Sequence, residues 1–186
     1  MKVLQLIDSL NAGGAERMAV NYANALVLQI ETSYLCATRE EGLLKESLSK
    51  DVQYLFLGKK SALDLKAIKR LNVFVKANRI TVIHAHSTSF FLASLIKLFN
   101  KKTQVVWHDH NGNRVKFNIN QNRILKYCSY FFDKIITVNN ELKIWSEHNL
   151  KPKKVYYISN FSVLKEEKKT TILKGKLYIQ NIISKN

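Results

Sequence analysis

The sequence predicts an α/β fold organised on a doubly wound parallel sheet. Three observations carry that expectation. Short apolar runs alternate with segments whose apolar positions recur at helical spacing. Most of the runs are continuously apolar, as parallel strands buried on both faces require, and few alternate as half-exposed strands do. Six glycines and one proline in 186 residues leave little for long irregular connections.

Residues 2–8 (KVLQLID) form the first strand, and Asn11-Ala12-Gly13-Gly14 supplies the turn after it. Ala15, Met18, Ala19, Tyr22, Ala23, Leu26 and Val27 recur at i, i+3, i+4 and i+7, which predicts the first helix. Strands follow at 32–37 and 52–57, with a short helix from Leu43 to Leu48 between them. A helix through Leu65, Ile68, Leu71 and Val75 leads to the strand Ile80–Ala85, then to a helix from Ser87 to Phe99. The alternation continues with strand Gln104–Trp107, helix Asn120–Phe131, strand Lys134–Val138, helix Glu141–His148 and strand Lys154–Ile158. Right-handed crossovers then give a Rossmann-like sheet in the strand order 3-2-1-4-5-6-7. Residues 1–162 form one domain. The pattern fails after Phe161, and 163–186 is a basic interdomain linker remnant or tail.

Composition narrows the function classes. Hydrophobic residues make up 46% and charged residues 24%, as in soluble globular domains. The apolar start before Asp8 is too brief for a secretory signal, and the longest apolar stretch, Phe90–Ile96, falls short of the roughly 20 residues a spanning helix needs. A cytoplasmic location follows as the expectation, with Cys36 and Cys128 as buried free thiols. Thirty Lys plus Arg against fourteen Asp plus Glu give a charge of +16, which implies a polyanionic neighbour without naming it. No aromatic-interleaved basic element accompanies that charge, so nucleic acid is not expected as a partner.

In a doubly wound sheet, ligands bind beyond the carboxyl ends of the strands where the strand order reverses. Three segments converge there. Gly13-Gly14-Ala15-Glu16 joins the first strand to its helix, and a helix N-terminus behind glycines offers N–H groups and a positive dipole to a phosphate. It is neither GxGxxG nor a P-loop, and taken as an isolated motif it reads first as a plain tight strand–helix turn. His84-Ala85-His86-Ser87-Thr88-Ser89 ends the fourth strand. His84 and His86 point the same way, and Ser87 or Thr88 is placed to cap the next helix. His108-Asp109-His110-Asn111-Gly112 ends the fifth strand, where an imidazole can meet a ligand while a carboxylate fixes its tautomer. Four of the five histidines thus gather at one sheet edge. A metal site would need three of them on one point, whereas neighbouring strand ends splay side chains apart.

The segments VLQLIDSLNAGGAERMAVNYANAL, IHAHSTSFF, VVWHDHNG, IITVNNELKIW and VYYISNF resemble, in order, the landmarks of the glycosyltransferase family 4-like N-terminal domain, the first half of GT-B enzymes. The resemblance covers residues 1–162. It implies a retaining, metal-independent transfer, without a cofactor, from a nucleotide-sugar to a glycan or lipid-linked acceptor. Gly13 and Gly14 would touch the donor diphosphate, and His108 would be the catalytic histidine beside the transferred sugar. His86, Ser87, Asp109, His110 and Asn111, with Arg114 in the segment Asn111–Lys116, would line the acceptor side.

The family's second domain carries a spaced pair of glutamates, and no two glutamates here stand at that spacing. The 25 residues after Phe161 cannot build a nucleotide-binding domain, which takes on the order of 100. A truncated or frame-shifted product, or one piece of a split enzyme completed by a companion donor-domain polypeptide, is therefore expected. Alone it would not turn over. Two other functions stay open. One is a non-catalytic module peripheral to an anionic membrane or bound to a partner, using the apolar Phe90–Phe99 helix. The other is a metal-dependent hydrolase built on the histidines.

Overall fold

The computed structural model of the protein describes residues 1–116 and 122–160. Its strands are β1 (Lys2–Ser9), β2 (Thr32–Glu40), β3 (Gln53–Phe56), β4 (Val82–His86), β5 (Gln104–Asp109), β6 (Lys134–Thr137) and β7 (Lys154–Tyr157). Its α-helices are α1 (Gly14–Leu26), α2 (Leu65–Ala77), α3 (Phe90–Phe99), α4 (Arg123–Cys128) and α5 (Asn140–Asn149). The strands form one sheet in the order β3-β2-β1-β4-β5-β6-β7, every neighbouring pair parallel, as the alternating pattern predicts.

The chain steps outward from β1 to β3, and α2 then carries it back to β4 on the far side of β1. Right-handed connections running in opposite directions place their helices on opposite faces. Leu4, Leu6, Ile83, Ala85, Val105 and Trp107 accordingly meet residues of α2, α3 and α4, among them Leu71, Val75, Leu92 and Ile96. Their neighbours Val3, Val82 and Val106 meet Met18, Tyr22 and Leu26 of α1 on the other face. Ile7, Leu35 and Ala37 meet Ala19, Val20 and Ala23 of the same helix. Apolar partners on both sides of the sheet are the reason its strands read as unbroken apolar runs, each fully buried large side chain stabilising the fold by about 1.5–3 kcal/mol.

Local signals set the element ends. Asp64 caps α2 by accepting from the Ala67 amide at 3.0 Å, and Asn139 caps α5 through Leu142 at 2.8 Å. Gly42 passes so close to the Leu10 backbone that a Cβ there would collide with it, and the Leu44 amide binds the Leu10 carbonyl at 3.0 Å. This crossing pins the connection after β2 against the end of β1. Cys36 and Cys128 are buried free thiols, and burial pushes Cys36 up to about 12.

Several boundaries differ from expectation, among them β2, which runs on to Glu40, and α3, which begins only at Phe90. β4 starts at Val82 and runs through His86, and β5 runs through Asp109, because their parallel pairing continues to His86↔His108. The helix expected over Asn120–Phe131 is α4 followed by a 3-10 turn at Ser129–Phe131; Asn120 and Gln121 lie outside the described residues, as does the tail from 163 to 186.

Candidate functional site

The strand order reverses between β1 and β4, and all three predicted segments lie at the carboxyl ends of the strands beside that point. After β1, Gly13 is the extended N-cap of α1, and no side chain caps the helix. A Cβ on Gly14 would meet nothing within 4 Å, so the backbone there is open to an approaching group. Gly13 is different: the Glu16 carboxylate folds over it and fills the place a side chain would take. The helix N-terminus thus already carries one carboxylate of its own, the sign its dipole favours.

His84 and His86 of β4, His108 of β5 and His110 just beyond it point to the α1 face, beneath Tyr22. The Tyr22 ring lies 5.2 Å from His84 and 5.8 Å from His108, centroid to centroid, both edge-on. His108 stacks on His110 at 4.0 Å and parallels His84 at 5.4 Å. The Gln5 amide oxygen can only accept, so His86 Nε2–H donates to it at 2.8 Å. His86 Nδ1 is then the acceptor for His110 Nε2–H at 3.0 Å. That network assigns both tautomers. His108 is fully buried, and neither of its ring nitrogens has a hydrogen-bond partner among the described residues. An unmet polar group costs about 1–3 kcal/mol in a core.

Burial holds all four imidazoles neutral. Desolvation depresses His84, His86 and His108 well below the ordinary histidine range, and repulsion between neighbouring rings deepens the shift. His110 is pushed down to about 4 by desolvation. The ligand atoms of His84, His86 and His108 lie within 4.8 Å of one another, so these rings converge where splaying was expected. The spacing suits a metal ion, but both nitrogens of His86 are engaged, and coordination would break one of those bonds.

Two roles assigned from the sequence are corrected. Asp109 does not fix the tautomer of His108: adjacent strand residues face opposite ways, and Asp109 is turned from the histidines into a buried pair with Arg114. Arg114 Nε donates to Asp109 Oδ2 at 2.5 Å and Nη2 to Oδ1 at 3.1 Å, while the Asn111 amide donates to Oδ1 at 3.0 Å. Asp109 therefore anchors the segment Asn111–Lys116 internally, leaving Asn111 exposed at its start. The second correction concerns the hydroxyls after β4. Neither Ser87 nor Thr88 caps α3, whose N-cap is Ser89 without a side-chain bond. Ser87 instead sits in the left-handed region at φ 50°, its carbonyl accepting from Trp107 Nε1–H at 2.8 Å.

Thr88 reveals a feature the sequence reading missed. Its hydroxyl donates to Asp8 Oδ2 at 2.6 Å, and Thr38 donates to Asp8 Oδ1 at 2.5 Å. Lys59 Nζ lies 4.0 Å from the same carboxylate, and Arg39 Nε 3.9 Å. Lys59 is buried, and desolvation lowers its ammonium pKa against the opposing pull of Asp8. Read alone, Lys59-Lys60 is a surface patch; the one available signal was an acid ending the first strand.

With this geometry in place, comparison with known proteins decides the family. The model of Glycosyltransferase Family 4 matches residues 12–163. The chain belongs to that family. The Anabaena Alr3699/HepE protein, solved in complex with UDP and glucose, superposes on this family 4 chain with a TM-score of 0.67 at 14% identity, over 97% of the chain and 51% of its own length. A glycosyltransferase from Rickettsia africae gives 0.61 at 17% identity, over 85% and 42%. A UDP-N-acetylglucosamine 2-epimerase from Rickettsia bellii gives 0.61 at 10%, over 100% and 49%. The chain spans about half the length of these proteins, and at such identities they share its fold. Among curated protein sequences, none matches it. Among the described residues, no helix is long and apolar enough to cross a membrane.

Proposed function

We propose that this family 4 domain is the acceptor-side half of a retaining glycosyltransferase that moves a sugar from a nucleotide-sugar to a glycan or lipid-linked acceptor. The donor-binding half comes from a companion polypeptide or from further chain. One observation carries the reading: an uncapped, open α1 N-terminus at Gly14 and an unpartnered imidazole at His108 flank the same strand-order reversal on the same sheet face.

Departure of a nucleoside diphosphate needs its growing negative charge stabilised. The amides of Gly14 and Ala15 and the α1 dipole supply that without a metal or cofactor, once Glu16 swings from over Gly13. His108, kept neutral by burial, offers a hydrogen bond to the transferred sugar without adding charge. Its ring is closed to solvent in this packing, so sugar contact requires the site to open. His110 and Gln5 orient His86 behind it, and exposed Asn111 stands toward the acceptor. The Anabaena complexes contain UDP, and UDP with glucose, which supports a nucleotide-sugar as donor class here.

The test is a transfer assay with UDP-sugars, run on the purified chain alone and with a family 4 donor-binding domain supplied in trans. Negligible turnover alone, recovered in the mixture and abolished by His108→Ala, is expected. Turnover by the chain alone would overturn the half-enzyme reading, and recovery insensitive to His108 would remove that residue from the site.

A further inference from the structure

Gly112, at the foot of the segment that follows β5, has no conformational reason to be glycine. Among the described residues Gly58 is the glycine with positive φ, and Gly112 is not strained in that way. A Cβ on Gly112 would meet only Asn139 Nδ2 at 3.7 Å, an ordinary contact. The residue before it is Asn111, and Asn111-Gly112 is the one Asn-Gly step in the chain. Every other internal asparagine precedes a residue that carries a Cβ.

Asn111 is exposed, yet its backbone is anchored. Its amide donates to Asp109 Oδ1 at 3.0 Å, and its carbonyl accepts from the Arg114 amide at 2.9 Å. The carboxamide is held less firmly: its Oδ1 accepts from the Asn113 amide at 3.2 Å, a long bond in the open that water can replace. The Gly112 amide has no hydrogen-bond partner among the described residues. A fixed backbone thus holds a loosely tied carboxamide next to an unengaged nitrogen with no side chain beside it. Those are the conditions for that nitrogen to attack the carboxamide carbon.

We propose that Asn111 is a site of spontaneous modification, passing through a cyclic imide to aspartate and isoaspartate. The Gly112 nitrogen bonds to Asn111 Cγ as the Cγ–Nδ2 bond breaks, and the proton of that nitrogen leaves on the departing ammonia. Water then opens the imide ring. Cleavage between Cγ and the Gly112 nitrogen gives aspartate, whereas cleavage between the Asn111 carbonyl carbon and that nitrogen gives isoaspartate. Water is consumed, ammonia is released, and nothing is oxidised or reduced. Either product sets a new carboxylate near Asp109, where it competes for the Arg114 guanidinium that Asp109 holds. Isoaspartate also lengthens the backbone at the start of the Gly112–Lys116 turn. The consequence for an acceptor rests on the transfer reaction proposed above, which puts this segment on the acceptor side. The chemistry at Asn111 does not, and its test needs no substrate.

Peptide mass spectrometry of the full chain, incubated in mildly alkaline buffer both folded and in urea, tests it, with isoaspartate read by enzymatic methylation. The folded chain should convert at Asn111 ahead of every other asparagine, within about tenfold of the urea-unfolded rate. Gly112→Ala, which the structure accepts without collision, should keep the wild-type circular dichroism and convert at least about tenfold more slowly. On ageing, the wild type should lose Tm while this variant keeps its own. Three results would overturn the proposal: Asn111 intact in the folded chain while the unfolded chain converts, Gly112→Ala converting as fast as wild type, or a wild-type Tm that ageing leaves unchanged.

Discussion

His86 Nδ1 lies 3.0 Å from His110 Nε2, and the other nitrogen of the same ring lies 2.8 Å from the Gln5 amide oxygen. Three parallel elements, β1, β4 and the segment just past β5, are thereby joined by one line of hydrogen bonds under α1. Each ring in that line can hold only one proton without charging a buried site.

Acid should therefore weaken the fold. The folded-state pKa values of His84, His86, His108 and His110 all lie below 6.5, His110 at about 4. Below about pH 6.5 the unfolded chain takes up protons that the folded chain refuses, so stability is full above that pH and falls beneath it. Each histidine contributes up to about 1.4 kcal/mol per pH unit in the window. Urea unfolding at steps from neutral to pH 5 checks this. A midpoint unchanged across the range would contradict neutral, buried rings.

Arg114→Ala should be among the costliest single changes. It leaves the fully buried Asp109 without its guanidinium, a loss of about 3–5 kcal/mol. The double variant Asp109→Asn, Arg114→Met removes both charges and should recover much of the loss. Thermal unfolding of the pair of variants measures the difference, and equal Tm values would refute the buried-pair account.

At Ser87 the left-handed backbone costs a non-glycine residue on the order of 1 kcal/mol, and the Trp107 bond offsets it. Ser87→Gly should match or exceed wild-type stability, whereas Ser87→Val should fall by about 1–3 kcal/mol. Denaturant midpoints for the two variants check the sign. A stable Ser87→Val would show that the conformation carries no strain.

Chelation should change nothing. His86 already uses both nitrogens inside the protein, so prolonged dialysis against EDTA should leave Tm and the circular dichroism spectrum unaltered. A fall in Tm reversed by added zinc would instead assign His84, His86 and His108 as ligands.

The strand order and the faces of the helices were legible because parallel strands buried on both sides leave an unambiguous apolar record, and because handedness then permits few topologies. The gathering of histidines was legible for a similar reason: i and i+2 spacing on β4 and the in-register neighbour on β5 fix them to one face. What escaped were contacts made across the fold. Asp109 looked like a partner for His108 because they are adjacent, yet adjacency in a strand separates side chains. Asp8 and Lys59 meet only once β1 and the segment after β3 are brought to the same edge. Ser87 reads as a cap, and only the distant Trp107 explains why its backbone turns the other way.

The central claim is that the Gly14 loop and the histidine-bearing ends of β4 and β5 form one donor-facing site. Amide NMR of the labelled chain, titrated with millimolar UDP-glucose, tests it most directly. The predicted result is concerted shifts at Gly14, Ala15, Ser87 and His108, with Val73 and the β7 amides unmoved. Shifts confined to the β3 or β7 edge, or a Gly14 amide indifferent while His108 responds, would contradict a shared site.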